Sequence, residues 1–161
     1  MSRFTFFWQS ESPFSQWHLS RFELDGHVYV TAEQWMMASK ARLFGDEEIA
    51  RRILGTQSPR EQKAFGRKVR GFVPATWEAE REAIVYRGNH AKFTQHPKLL
   101  EALLATRGTT LVEASPLDQI WGIGLAADHP DAENPEQWCG LNLLGKVLTQ
   151  LREDLIAEGH G

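Results

Sequence analysis

Leu144, Val147, Leu148, Leu151 and Leu155 fall at the i, i+3, i+4, i+7 and i+11 positions of one helical face, whereas a strand would scatter them over both sides. An apolar stripe of this kind must be covered, so the rest of the chain has to supply elements that pack on it. Most of those elements also read as helix. Thr31-Ala-Glu-Gln34 is a capping-box pattern, in which the Thr31 hydroxyl accepts from the Gln34 amide while the Gln34 side chain reaches back; a helix should run from there to about Phe44 and stop at Gly45. Asp46 can cap a short helix ending at Gly55, and Ser58-Pro59-Arg60-Glu61 combines a capping box with proline at the first helical position. Further helices are expected from about Thr76 to Lys92 and from Pro97 to about Thr106, with Gly108 beyond the end.

The β signals are few. Arg3 to Trp8 resembles a strand, Arg21–Leu24 and His27–Val30 form a hairpin across Asp25-Gly26, and Thr109 to Ala114 reads as a short strand. The expected class is therefore mainly α with a small β element, becoming α+β if the hairpin and the 109–114 strand share a sheet. At 161 residues the chain fits one domain spanning 1–161.

Charge and cysteine content narrow the function classes. A net charge of -3 gives no global attraction to nucleic acid or anionic lipid. Cys139 is the only cysteine, so an internal disulfide and a zinc-thiolate cluster are both excluded, and the scattered histidines lack the spacing of a metal site. No signal sequence precedes the first strand, and no apolar run approaches the roughly 18 residues needed to cross a bilayer. A soluble, cytoplasmic protein with no membrane partner is expected, and nothing in the sequence fixes its oligomeric state.

Four groups of residues can carry chemistry. Glu33 lies in a first helical turn, where the exposed amides and the helix dipole favour an ionised carboxylate; acids are also common there for purely structural reasons. Arg60, Lys63, Arg67 and Arg70 recur at i, i+3, i+7 and i+10, a stripe that can receive phosphate or can simply be a solvated face. Six tryptophans, at 8, 17, 35, 77, 121 and 138, offer stacking surfaces, although Trp35, beside Met36 and Met37, reads as core. The fourth group is Asp118-Gln-Ile-Trp121-Gly122-Ile-Gly124 followed by Trp138-Cys-Gly140-Leu-Asn142-Leu-Leu-Gly145. It places an acid, indoles and glycines on a loop where backbone can approach a ligand, and Asp118 has the alternative role of capping a turn. There is no P-loop, no GxGxxG and no nucleophile elbow.

Taken in order, these pieces resemble the YbiA-like, or NADAR, family. The resemblance rests on Phe7-Trp8, Pro13-Phe14, Thr31-Ala-Glu33, Lys40, Ser58-Pro59 with Lys63 and Gly66-Arg67, Trp77, Lys92-Phe93, Leu111-Val-Glu113, Asp118-x-x-Trp121-Gly-x-Gly124, Gly140-x-Asn142-x-x-Gly145 and Leu151-Arg152. It covers nearly the whole chain. Gln34 departs from the family pattern, which often has His there, and Gln16 from one that often has Asn.

The resemblance implies a compact, mainly helical fold and a hydrolase of N-glycosidic bonds that needs no cofactor. It implies as substrates either phosphoribosylamino intermediates of riboflavin synthesis or ADP-ribose attached to guanine, so the partners are a small ribosyl or ADP-ribosyl molecule or ADP-ribosylated nucleic acid. A non-catalytic module that binds ADP-ribose is the alternative. Carried over by position, the resemblance implies Glu33 and Asp118 as catalytic acids. The substrate-binding residues would be Phe7, Lys40, Lys63, Arg67, Trp77, Lys92, Trp121, Gly122, Gly124 and Asn142.

Overall fold

The computed structural model describes residues 3–161, and its helices start at their sequence signals. In chain order the elements are β1 (Phe4–Phe7), β2 (Phe22–Leu24), β3 (His27–Tyr29), α1 (Ala32–Leu43), α2 (Glu47–Leu54), α3 (Pro59–Gly66), α4 (Pro74–Thr94), α5 (Pro97–Leu104), β4 (Thr110–Glu113) and α6 (Leu143–Leu155). The chain is thus mainly helical with small β pieces. It divides into two compact units, one formed by residues up to Ser15 together with His96–Gly161, the other by Gln16–Gln95.

In the Gln16–Gln95 unit, α1 packs against α2, α3 and α4. Its start is fixed by Thr31, whose hydroxyl accepts from the Gln34 N–H (3.0 Å) and donates to Gln62 Oε1 (2.6 Å). Gln34 reaches back one residue further than a standard capping box. Its Oε1 accepts from the Val30 N–H (2.8 Å), and its Nε2 donates to the carbonyls of Ile53 (3.0 Å) and Thr56 (3.1 Å), tying α1 to the end of α2. Asp25 (φ 52°) and Gly26 (φ 81°) are both left-handed, as a two-residue turn matching the twist of β2 and β3 requires. Trp35 is core, as expected: it is buried against Gly88 of α4, where an added Cβ would stand 2.3 Å from its Cδ1, and its Nε1 donates to the Ile84 carbonyl (2.7 Å).

The basic stripe does not survive as one helical face. α3 ends at Gly66, with Arg67 as its C-cap, and its end is pressed onto α1, where an added Cβ at Gly66 would stand 2.0 Å from Met37 Sδ. Beyond it Arg70 turns back to Asp46: its backbone N–H (2.9 Å) and Nε (3.1 Å) donate to Oδ2 and its Nη2 to Oδ1 (2.8 Å). These bonds hold the Asp46 carboxyl well below the usual carboxylate range while Oδ1 also caps α2 through the Ile49 N–H. Arg70 is therefore part of the fold, and of the stripe only Lys63 and Arg67 stay available to a ligand beside the exposed Arg60.

In the other unit β1 runs parallel to β4, with Phe4 opposite Thr110 and Phe7 opposite Glu113. The Thr5 and Thr109 hydroxyls share a hydrogen bond of 2.6 Å at one end of this ladder. The hairpin does not join it; β2 and β3 form their own sheet, so the α+β variant of the expectation is corrected. Parallel pairing requires a long crossover, here over a hundred residues of chain, and local patterning carries no signal for it. α6 packs on β4 and buries Leu144, Val147, Leu148, Leu151 and Leu155 as its spacing demands. Val112, Ile123 and Leu125 form a further core patch with Phe4, Phe6 and Trp138 against it.

Candidate functional site

Glu33 is the second residue of α1 and is buried, with 4% of its surface exposed. A carboxylate in such a place needs compensation, since removal from water disfavours the charge. It receives several contributions. Its position in the first helical turn favours the ionised form through the helix dipole, while its backbone N–H donates to the Gln16 carbonyl (3.0 Å) and fixes the main chain rather than the charge. The Trp17 indole Nε1 donates to Glu33 Oε1 (3.2 Å). Two helical turns further along the same face stands Lys40, close enough for its charge and that of Glu33 to be felt mutually.

Cations and aromatic rings alternate around this acid. Lys40 Nζ lies 4.7 Å from the centroid of the Phe72 ring and 5.7 Å from that of Trp77. Lys63 Nζ lies 6.0 Å from the Trp17 ring. Burial pushes the Lys40 ammonium below the usual lysine value, Glu33 pulls it back up, and Arg67 pushes it down again. Glu33, Lys40, Lys63, Arg67 and Trp77, all expected from sequence, thus belong to one unit, where hydrogen bonding, ring contact or charge links them. The arrangement can stabilise positive charge at the acid and bind anionic oxygens at the cations, with flat apolar surfaces between.

Phe72 and Asn89 were not singled out from sequence, and Trp17 appears there only as one of six possible stacking surfaces, not as a partner of the acid. Trp17 lies outside any periodic segment, so no pattern marks it as the partner of Glu33. Asn89 had a signal: Gly88-Asn89 puts two poor helix formers inside a long helical run, which calls for a packing or polar reason. That reason is visible here, since Asn89 is fully buried and its Nδ2 donates to Gln16 Oε1 and the Val85 carbonyl (both 2.9 Å).

Lys92 fits the phosphate role poorly. It is wholly buried on α4, with its Nζ 4.9 Å from the Phe93 ring centroid, and burial pushes its pKa down to about 7. A lysine protonated in the unfolded chain up to its ordinary value and neutral in the fold above about 7 penalises folding most at and below about pH 7, and the penalty vanishes as pH rises past 10. Lys92→Met should therefore gain stability over the parent protein at pH 7, and the gain should shrink steadily toward pH 10 in urea unfolding. A pH-independent difference would contradict this.

The remaining expected residues lie in the other unit. Phe7 is buried edge-on against Phe14, with ring centroids 5.6 Å apart. Asp118 caps a turn, its Oδ1 accepting from the N–H groups of Ile120 and Trp121 (both 2.9 Å). The glycines of this loop are explained by chain packing. An added Cβ at Gly122 would stand 2.9 Å from the Glu113 carbonyl oxygen, and Gly124 (φ 72°) has Cys139 Cβ at 3.0 Å. Asn142 is fully buried at φ 51°, accepting from the Glu113 N–H (3.0 Å) and donating to the Leu111 carbonyl (3.1 Å), so its amide acts as an extra strand residue beside β4. Trp121 stays half-buried on the same loop.

Among the described residues no three His, Cys, Asp or Glu side chains are placed to share a metal ion, and no helix is long and apolar enough to cross a membrane.

This architecture places the chain in the class of YbiA-like, α-rich proteins: the NMR structure of the Escherichia coli protein YbiA superposes with a TM-score of 0.80 at 30% identity, covering 98% of this chain and 88% of that one. N-glycosidase R617 of Acanthamoeba polyphaga mimivirus is 46% identical over 146 residues, 88% of this chain and 86% of that protein. Riboflavin biosynthesis protein PYRR, chloroplastic, of Zea mays is 36% identical over 113 residues, 68% of this chain but 16% of that protein. Residues 6–156 match the NADAR domain, and the chain belongs to that family. Relatives named N-glycosidase make it a family of hydrolases acting on N-glycosyl bonds.

Proposed function

We propose that this chain hydrolyses the N-glycosidic bond between a nitrogenous base or amine and a ribose bearing phosphate or ADP, with Glu33 as the working carboxylate. The observation that carries this reading is the buried Glu33, oriented by the Trp17 indole and set among Lys40, Lys63 and Arg67. As the C–N bond breaks, positive charge builds on the anomeric carbon and ring oxygen, as in other glycoside hydrolyses. A fixed carboxylate beside that carbon stabilises the charge and draws a proton from the attacking water. Water then adds its oxygen to the sugar, and the departing nitrogen takes up a proton. Asp118, with one oxygen committed to its turn, is assigned no step.

Lys63 and Arg67 bind the phosphate in this reading, Lys40 couples by charge to both Arg67 and the acid, and the largely buried Trp77, with the Lys40 ammonium over its ring, borders the base. Lys63→Ala or Arg67→Ala is expected to raise KM for a phosphorylated substrate about tenfold with a smaller effect on kcat, the loss of one charge-assisted hydrogen bond. An unchanged KM in steady-state kinetics would remove the phosphate assignment.

Two substrate classes fit: a phosphoribosylamino pyrimidine of riboflavin synthesis, a reading supported by the relative named for that pathway, and ADP-ribosylated guanine. Incubation with both, and with unphosphorylated N-ribosides, followed by chromatography of the released base, decides between them. Tight binding by calorimetry without release of base from any of them would instead favour a non-catalytic ADP-ribose module.

A further inference from the structure

We propose that Trp17 is a positioning residue for the hydrolysis, acting through its indole N–H on the Glu33 carboxylate; this rests on the reading of Glu33 as the working acid. Glu33 has three side-chain torsions, and a charge-stabilising carboxylate is useful only if one rotamer is held toward the sugar. Trp17 Nε1 donates to Oε1 at 3.2 Å and so pins one of its two oxygens. The segment that carries the indole is anchored through the neighbouring Gln16, and the ring itself faces Lys63. The carbonyl of its neighbour Gln16 accepts from the Glu33 N–H (3.0 Å), the Gln16 side chain accepts from Asn89 of α4 (2.9 Å), and the Lys63 ammonium stands 6.0 Å from the ring centroid.

Backbone and side chain of residues 16–17 therefore grip both ends of the same glutamate. An indole suits this task better than a hydroxyl or amide, because it is a donor only and cannot present an acceptor lone pair to the carboxylate. Its rigid ring, with two torsions, costs little conformational entropy to fix. Phenylalanine keeps an aromatic ring facing Lys63 but removes the N–H together with part of the indole, whereas benzothienylalanine removes the N–H alone.

The test uses the phosphoribosylamino pyrimidine and ADP-ribosylated guanosine as probes, the faster being carried forward. Trp17→Phe should lower kcat by about 10-fold to 100-fold, as expected for a hydrogen bond to a charged group, with KM within about twofold while the protein stays folded, and benzothienylalanine at position 17 should give the same loss. In a double-mutant cycle, Glu33→Asp withdraws the carboxylate from the indole by one methylene while keeping an acid, so Trp17→Phe should cost little further in that background. Equal costs in the two backgrounds, or a kcat unchanged by Trp17→Phe, would overturn the proposal while leaving Glu33 in its role. If Trp17→Phe unfolds, benzothienylalanine at position 17, the same shape with sulfur for N–H, gives the same comparison. A normal rate for Glu33→Asp and Glu33→Gln, or no turnover of either probe, would instead remove the reading of Glu33 and this inference with it.

Discussion

Glu33→Gln is expected to lower kcat by about 10² to 10⁴ at neutral pH, the range associated with loss of a positioned proton-transfer group, while the protein remains folded. The amide is nearly isosteric with the carboxylate and keeps an oxygen for the Trp17 N–H, so the geometry around α1 should persist. What disappears is the negative charge beside the developing oxocarbenium and the group that takes the proton from water. KM should change little, since Lys63 and Arg67 would still hold the phosphate. Rate constants for base release, measured alongside thermal melts, check both halves; a near-normal kcat in a folded variant would rule out carboxylate catalysis at this position.

Asn142→Ala should be the most damaging of the conservative changes to the fold. The side-chain amide gives an acceptor to the Glu113 N–H and a donor to the Leu111 carbonyl, both on β4, from a residue with no exposed surface. Truncation strips two strand groups of a partner and leaves alanine in a left-handed conformation (φ 51°) that asparagine tolerates better. Together these cost about 3–5 kcal/mol. Asn142→Gly restores the backbone freedom but not the bonds, so it should be destabilised less than Asn142→Ala and more than the parent protein. Urea unfolding of the three proteins separates the contributions; a loss under 1 kcal/mol for alanine would mean that relaxation or water replaces the amide.

That result bears on how the Gly-Trp segment from Asp118 to Gly145 is read. In sequence its glycines and amide look like a ligand loop, yet each has a partner within the chain. Gly145 illustrates the reason: a Cβ there would stand 2.1 Å from the Leu111 carbonyl oxygen, so α6 can reach β4 only where the side chain is absent. Close approach of backbone to backbone and close approach of backbone to ligand demand the same residue, and a sequence does not say which of them occupies the space.

The converse holds for Glu33. Its place in a first helical turn was legible from Thr31 and Gln34, because capping is a short-range matter of a hydroxyl and an amide three residues apart. Its indole partner, 16 residues earlier in an aperiodic segment, was not, because that hydrogen bond depends on how residues 16–17 are laid against α1. Arg70 shows the same limit: its spacing from Arg60, Lys63 and Arg67 suggested a shared face, but a helix ending at Gly66 turned it onto Asp46.

The sequence by itself determined the order and type of the main elements and several of their starts, since caps, turn residues and apolar periodicity act over a few residues and are written in order along the chain. It also marked, through the family resemblance, the acid and the cations on which the proposed function rests. Only the tertiary structure decided the parallel pairing of β1 with β4, the indole grip on Glu33, and which glycines, lysines and amides are spent on the fold. Those outcomes depend on contacts between residues far apart in the chain, where burial and hydrogen-bond satisfaction select the partner and local composition does not.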